Sequence, residues 1–210
     1  MKEPVNALTH LAGFIAGTVG LVFLLYHSAD DLDKFAVMGI YGLSILVLYG
    51  ASSLYHGVKT TQKKELLLRK LDHIAIFLLI AGSYTPVFYY GLDGGWKLSM
   101  LIAVWTVAVL GILLKVFFIK IPRWLSTVIY LSMGWIAVIP FTQLTGGLPG
   151  GALGLILAGG IAYTIGAVIY GTKKITLVSN WLGFHEVFHL FILLGTVLHF
   201  FMVFFYIIPL

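Results

Sequence analysis

The sequence lacks cysteine and carries little charge. Charged residues make up 10% of its 210 positions, whereas soluble domains contain about 25%. Because cysteine is absent, disulfides and thiolate nucleophiles are excluded, and a bound metal must be held by His, Asp or Glu. The net charge of +5 is not interleaved with aromatic residues, so we expect no nucleic-acid partner. We also expect no cleavable signal peptide, because the first apolar run is long and Met1-Lys2-Glu3-Pro4 is a poor leader.

Apolar residues dominate what is present. They make up 60% of the chain, and the mean hydropathy is +1.02. A membrane-spanning helix needs about 20 apolar residues, and seven runs of that kind lie between polar breaks. The runs cover residues 6–27, 34–57, 72–91, 97–119, 123–143, 151–171 and 183–208. The pattern predicts an all-α, seven-transmembrane-helix bundle in which residues 1–210 form a single integral membrane domain.

The Lys and Arg residues are distributed unequally between the two ends of these runs. Of the 13 such residues, all but Lys34 and Lys97 fall at one end. Because positive residues accumulate on the cytoplasmic side, we predict a multi-pass cell-membrane protein with a cytoplasmic N-terminus and an outside C-terminus. The longest polar connection, residues 59–70, is predicted to be a solvated cytoplasmic loop, with a short interfacial helix as the alternative.

Polar residues cluster at the predicted cytoplasmic ends of three helices. His185 and His189 are four residues apart, which places them on one helical face about 6 Å apart at Cβ. His56 ends the second predicted helix one turn after Ser52, and Asp72 opens the third. Since all of these residues reach a similar depth, we predict that they form one site.

Three neutral imidazoles leave a fourth zinc position for water, as in catalytic zinc sites. We therefore predict Zn²⁺ bound by His56, His185 and His189. Asp72 would accept the proton of the water or orient it, and Ser52 would support Asp72 or the scissile carbonyl. The alternative is a metal-free polar network that ties the helices together.

Two other hydrolase patterns are less consistent with the sequence. His185-Glu186-Val187-Phe188-His189 matches H-E-x-x-H, in which Glu186 would be the base of a zinc protease. Intramembrane proteases of this kind add an aspartate from Leu-Asp-Gly, but the topology places Leu92-Asp93-Gly94 on the outer side. A serine hydrolase would need G-x-S-x-G, which surrounds neither Ser52 nor Ser53.

The remaining histidines are sorted by predicted depth. His10 and His73 lie towards the cytoplasmic side, and His27 lies at the outer boundary. His199 is about 15 Å beyond His189 along the helix axis, too far to share its ion. We predict that His27 and His199 are hydrogen-bonded interface or core residues.

The combination Ser52-x-x-x-His56, Asp72 and His185-x-x-x-His189 on seven helices resembles the hemolysin III family. The runs Gly82-Ser83-Tyr84-Thr85-Pro86 and 184–189 are similar to its bacterial members, which implies the bacterial plasma membrane. That family belongs with the progestin and adipoQ receptors and the alkaline ceramidases among membrane metal-dependent hydrolases. The resemblance implies that His56, His185 and His189 ligate zinc, that Asp72 acts through the water and that Ser52 supports it.

The resemblance leaves several functions open. It favours hydrolysis of a lipid amide or ester near the cytoplasmic leaflet. The relationship to receptors suggests a non-catalytic receptor or sensor with structural zinc. The family name implies a membrane-perturbing cytolysin, although the sequence contains no amphipathic barrel strands.

Overall fold

The computed structural model describes residues 1–175 and 182–210, and its elements are all helices. They are α1 (Pro4–Tyr26), α2 (Leu32–Gly57), α3 (Gln62–Gly91), α4 (Gly94–Phe117), α5 (Arg123–Gly134), a 3-10 turn (Ile136–Val138), α6 (Phe141–Gly147), α7 (Gly150–Thr172) and α8 (Phe184–Met202), which continues as a π turn (Val203–Ile207). The predicted all-α class is therefore confirmed.

Six helices of the described residues are long and apolar enough to cross a membrane, and a bent pair can supply a seventh span. Five of them, α1, α2, α3, α4 and α7, have the required length by themselves, and α8 has it together with the π turn. The bent pair joins the region 123–138 to α6 at an angle of 53°. The predicted multi-pass membrane architecture is thus confirmed.

The predicted span 123–143 corresponds to the bent pair, and the structure adds a break near Pro140. Proline has no N–H to donate and disfavours helical geometry in the residue before it. Pro140 caps the start of α6, and the chain turns there after Ile139. A hydropathy profile alone does not predict such a bend, because the residues on both sides are apolar.

Most of the segment 59–70, predicted to be a solvated loop with a short helix as the alternative, is helical, and most of its residues are exposed. α3 begins at Gln62 and runs without interruption for 30 residues to Gly91, about 45 Å, so its first turns extend beyond the length needed to cross a bilayer. Lys, Glu and Leu are strong helix formers, and tertiary contacts fix this segment in place. Lys2 Nζ lies 2.7 Å from Glu65 Oε1, and Lys70 Nζ donates to the carbonyl of Val116 at the end of α4.

α2 and α3 form the interior of the bundle. About half of each span is buried, against 17% of α1 and 28% of α4. Large buried side chains come from these two helices, including Tyr41, Tyr49, Phe77 and Phe88. α1 packs on both α2 and α8, and this arrangement brings the start of α1, the end of α2 and the start of α8 together.

Candidate metal centre

Three histidines from two helices form a compact group. His56 lies in the last turn of α2, and His185 and His189 lie in the first turns of α8. Each offers one ring nitrogen, and these nitrogens all lie within 4.8 Å of one another. The ring centroids are 4.8 to 5.0 Å apart, and each pair of rings is nearly perpendicular. This group can hold a metal ion.

Two buried ring nitrogens of the group lack a hydrogen-bond partner among the described residues, as expected if they bind a cation. His56 and His189 are buried, with 1% and 2% of their surfaces exposed. His56 Nε2 and His189 Nδ1 are buried and have no hydrogen-bond partner among the described residues. An unpaired buried polar atom is costly, and a metal that accepts these nitrogen lone pairs would remove that cost.

Glu3 holds the other nitrogen of His56, a contact that the sequence did not indicate. His56 Nδ1 donates to Glu3 Oε2 at 2.6 Å, and the backbone N–H of Glu3 donates to the carbonyl of His56 at 2.9 Å. The hydrogen bond from His56 is the main cause that lowers the pKa of Glu3 to about 2, against an opposing effect of burial. Its only sequence signal was an acid just before the first span, at the same predicted membrane face as His56.

Asn6 connects Glu3 to α8. Its Nδ2 donates to Glu3 Oε2 at 3.1 Å and to Glu186 Oε1 at 2.9 Å. Glu186, the candidate base of the H-E-x-x-H pattern, is therefore engaged with α1. The amide links the two acids that flank the histidine group.

His10 is a fourth histidine next to the group, and no role was predicted for it. It is 3% exposed, and its ring stacks on that of His189 with centroids 3.7 Å apart. The edge of Tyr49 meets it at a centroid distance of 4.9 Å. Both ring nitrogens of His10 lack a partner among the described residues.

Ser52 and Asp72 reach the same cavity as two of the histidines. A cavity of about 890 Å³ is lined by Ser52, Asp72, His185 and His189. Ser52 is buried, and Asp72 Oδ2 lies 3.5 Å from Nδ1 of His73. The structure thus brings both predicted catalytic residues to one cavity, and their roles stay predictions.

Three residues predicted to lie apart from the histidine group have other surroundings, although His199 does line the cavity. Asp93 is exposed before α4, and it is separated from Asp72 by about 30 Å of α3. His199 bonds through Nε2 to the carbonyl of Ile156 at 3.2 Å. His27 is exposed, and the edge of its ring meets Phe204 at a centroid distance of 5.8 Å.

These features define an all-helical, multi-pass membrane protein with a buried histidine group that can hold a metal ion. The chain belongs to the haemolysin III family. The model of the family described as "Haemolysin-III related" matches residues 1–200.

Three curated relatives agree with this assignment. The chain is 39% identical to "Hemolysin-3 homolog" of Bacillus subtilis (strain 168), over 98% of its own length and 94% of that protein. It is 38% identical to "Hemolysin-3" of Bacillus cereus, over 99% and 93% of the two chains. It is 28% identical to "Adiponectin receptor protein" of Drosophila melanogaster, over 94% of this chain and 49% of that protein.

Proposed function

We propose that this protein is a membrane zinc hydrolase that cleaves an amide or ester bond of a lipid near the predicted cytoplasmic leaflet. The observation that carries the proposal is that a three-histidine group borders a large cavity within the membrane bundle. His185 and His189 line that cavity together with a carboxylate, Asp72, and a hydroxyl, Ser52.

The cavity suits a lipid. Its volume of about 890 Å³ is within the range of sites for small molecules, about 300–1,000 Å³. Beyond the polar end, apolar side chains line it, among them Leu48, Ile76, Ile80, Leu153 and Ile192. A lipid whose acyl chain lies among these residues would have its amide or ester bond next to the histidines.

His56, His185 and His189 would hold the zinc as neutral imidazoles. When bound, zinc would supply a water whose pKa is lowered to about 7. Asp72 then orients the attacking water and accepts its proton, the role of a general base. The Ser52 hydroxyl donates a hydrogen bond to the carbonyl oxygen of the lipid, where negative charge develops.

Asp72→Asn tests this proposal. We expect the variant to retain about one zinc per chain and to lose lipid hydrolysis by 10²–10⁴-fold, the usual contribution of a general base. Turnover is measured by lipidomic comparison of a total membrane lipid extract before and after incubation with purified protein. Asp93→Asn, at the other end of α3, is the matched control. Normal turnover by Asp72→Asn would contradict the mechanism.

A second candidate function is a receptor or sensor with structural zinc. It is favoured by the similarity to the Drosophila protein named adiponectin receptor and by the position of the histidine group, which ties α2 to α8. In that case Asp72→Asn retains function, and His56→Ala lowers the melting temperature in detergent. A cytolysin, which the name of the Bacillus relatives suggests, instead makes liposomes leak without cleaving lipid.

A further inference from the structure

The cavity has a second polar region that the proposed hydrolysis does not use. Arg69 of α3, Lys115 of α4 and Arg123 of α5 line it. The three residues come from separate helices, and Lys115 and Arg123 lie at the ends of theirs. We call these three residues the cation cluster.

Lys115 is directed into the bundle. A lysine near the end of a membrane helix ordinarily extends its ammonium towards water or headgroups. Lys115 is instead only 1% exposed, and its Nζ donates to Ser126 Oγ at 2.6 Å. The Lys115 Nζ also lies 5.7 Å from the centroid of the Tyr130 ring. One hydroxyl and one ring leave most of the hydrogen-bonding capacity of an ammonium unused.

Arg123 also has unused donors. Its Nη1 is buried and has no hydrogen-bond partner among the residues described. The guanidinium packs over the rings of Tyr170 and Phe184, with centroid distances of 4.7 and 5.3 Å. Where part of a guanidinium is buried, as Nη1 is here, an anion is its usual partner.

No carboxylate of the chain compensates the cation cluster. The ion pairs within 4.0 Å among the described residues involve Lys2, His56 and His73, and the sequence of residues 176–181 contains neither Asp nor Glu. Of the acids that line the cavity, Glu3 bonds to His56, and Asp72 lies nearest His73. Arg69 is exposed and Arg123 is half-buried, so the groups that need an anion from outside the chain are the buried Lys115 ammonium and the buried Nη1 of Arg123.

Tyr170 connects this region to the histidine group. Its ring contacts the Arg123 guanidinium, and it lies 5.4 Å from the ring of His185 between centroids. A ligand that occupies the cavity can therefore place an anionic group at the cation cluster and an acyl linkage at the histidines.

We propose that Arg69, Lys115 and Arg123 bind the phosphate of a lipid headgroup, so that the preferred ligand of the cavity is a phosphate-bearing lipid. Phosphate supplies up to two negative charges and several acceptor oxygens, which suit two guanidinium groups and one ammonium. The inference rests on the proposed function for the presence of a lipid in the cavity, but phosphate binding does not depend on bond cleavage.

Binding to purified full-length protein in detergent tests the inference. The probes are dihexanoyl phosphatidic acid, the uncharged dihexanoylglycerol and inorganic phosphate, each titrated with native mass spectrometry as the readout. We expect phosphatidic acid to bind at least about tenfold more tightly than dihexanoylglycerol. Arg123→Gln and Lys115→Met should each remove most of that difference, whereas Lys64→Gln, an exposed cation of α3, should leave it intact.

The outcomes separate the competing explanations. Equal binding of the charged and uncharged lipids would overturn the proposal, and so would unchanged selectivity in Arg123→Gln. If inorganic phosphate binds as tightly as phosphatidic acid, the proposal that the bound phosphate belongs to a lipid is overturned. Because Lys115 is buried, its variant can fail to fold, and the partly exposed Arg123 then decides the result. If the protein binds phosphatidic acid selectively but contains no zinc and cleaves no lipid, the phosphate site is supported and only the proposed hydrolase is refuted.

Discussion

Glu3 Oε2 and His56 Nδ1 are 2.6 Å apart, and this contact fixes the tautomer of the imidazole. With its pKa lowered to about 2, the Glu3 carboxylate is ionised at neutral pH and can only accept. In the neutral imidazole of His56, Nδ1 therefore carries the proton, and Nε2 has a lone pair available for a metal ion. Metal-binding histidines commonly have a carboxylate on the second nitrogen in this way.

Glu3→Gln should weaken metal binding. An amide is a poorer acceptor than a carboxylate and holds the imidazole less firmly, and loss of such partners typically costs 10–100-fold in metal affinity. Chelator competition on the purified protein measures the change. Glu65→Gln is the control, because Glu65 pairs with Lys2 rather than with a histidine. Equal affinities of wild type and Glu3→Gln would show that Glu3 does not position His56.

Each histidine of the group should be required for metal. We expect about one zinc per chain in the wild type and its loss in His56→Ala, His185→Ala and His189→Ala, because two imidazoles alone hold zinc weakly. Inductively coupled plasma mass spectrometry gives the metal content and identifies the metal. His27→Ala should retain the metal, since His27 is exposed and remote from the group. A protein that contains no metal, purified without chelators, would refute the metal site.

Thr196 should stabilise the bundle through two tyrosines. Tyr49 Oη donates to its Oγ1 at 2.7 Å, and Tyr163 Oη lies 3.0 Å from the same atom. Thr196→Val keeps the shape but leaves hydroxyls of α2 and α7 without this partner, at a cost of about 1–3 kcal/mol.

The melting temperature in detergent measures the effect of Thr196→Val. Thr18→Val is the control, because Thr18 is exposed and its hydroxyl donates to the carbonyl of Phe14 in its own helix. Equal melting temperatures of the two variants would contradict the assigned role of Thr196.

Adding a single methyl group at Gly159 should destabilise the protein. A Cβ at this position would overlap the ring of His199, whereas a Cβ at Gly154 in the same helix meets no atom within 4 Å. Overpacking of this kind costs about 1–3 kcal/mol, so Gly159→Ala should lower the melting temperature. Gly154→Ala should leave it unchanged or raise it slightly, because Ala favours helix over Gly by about 1 kcal/mol. The reverse order would contradict the packing of α7 against α8.

The sequence predicted the convergence of the histidines but not their surroundings. His185 and His189 are linked by helical periodicity, and the alternation of spans brings His56 to their depth. Nothing comparable marks His10 or Glu3, because stacking and hydrogen bonding between distant segments leave no periodic pattern.

The two departures from the predicted helices have local causes. Hydropathy recognised the fifth span but not its bend at Pro140, since the neighbouring residues remain apolar. Charge led us to predict a loop at the start of α3, where helix propensity and the contact of Lys2 with Glu65 favour helix. The class of the fold follows from composition, whereas its details depend on individual contacts.

The division of the three histidines between α2 and α8 has a consequence for biosynthesis. A nascent chain that has not yet reached α8 presents His56 alone, so the ribosome must complete nearly all of the protein before the site can capture an ion. Loading of the proposed metal site would then be a late event in maturation, after α8 has inserted and docked against α2.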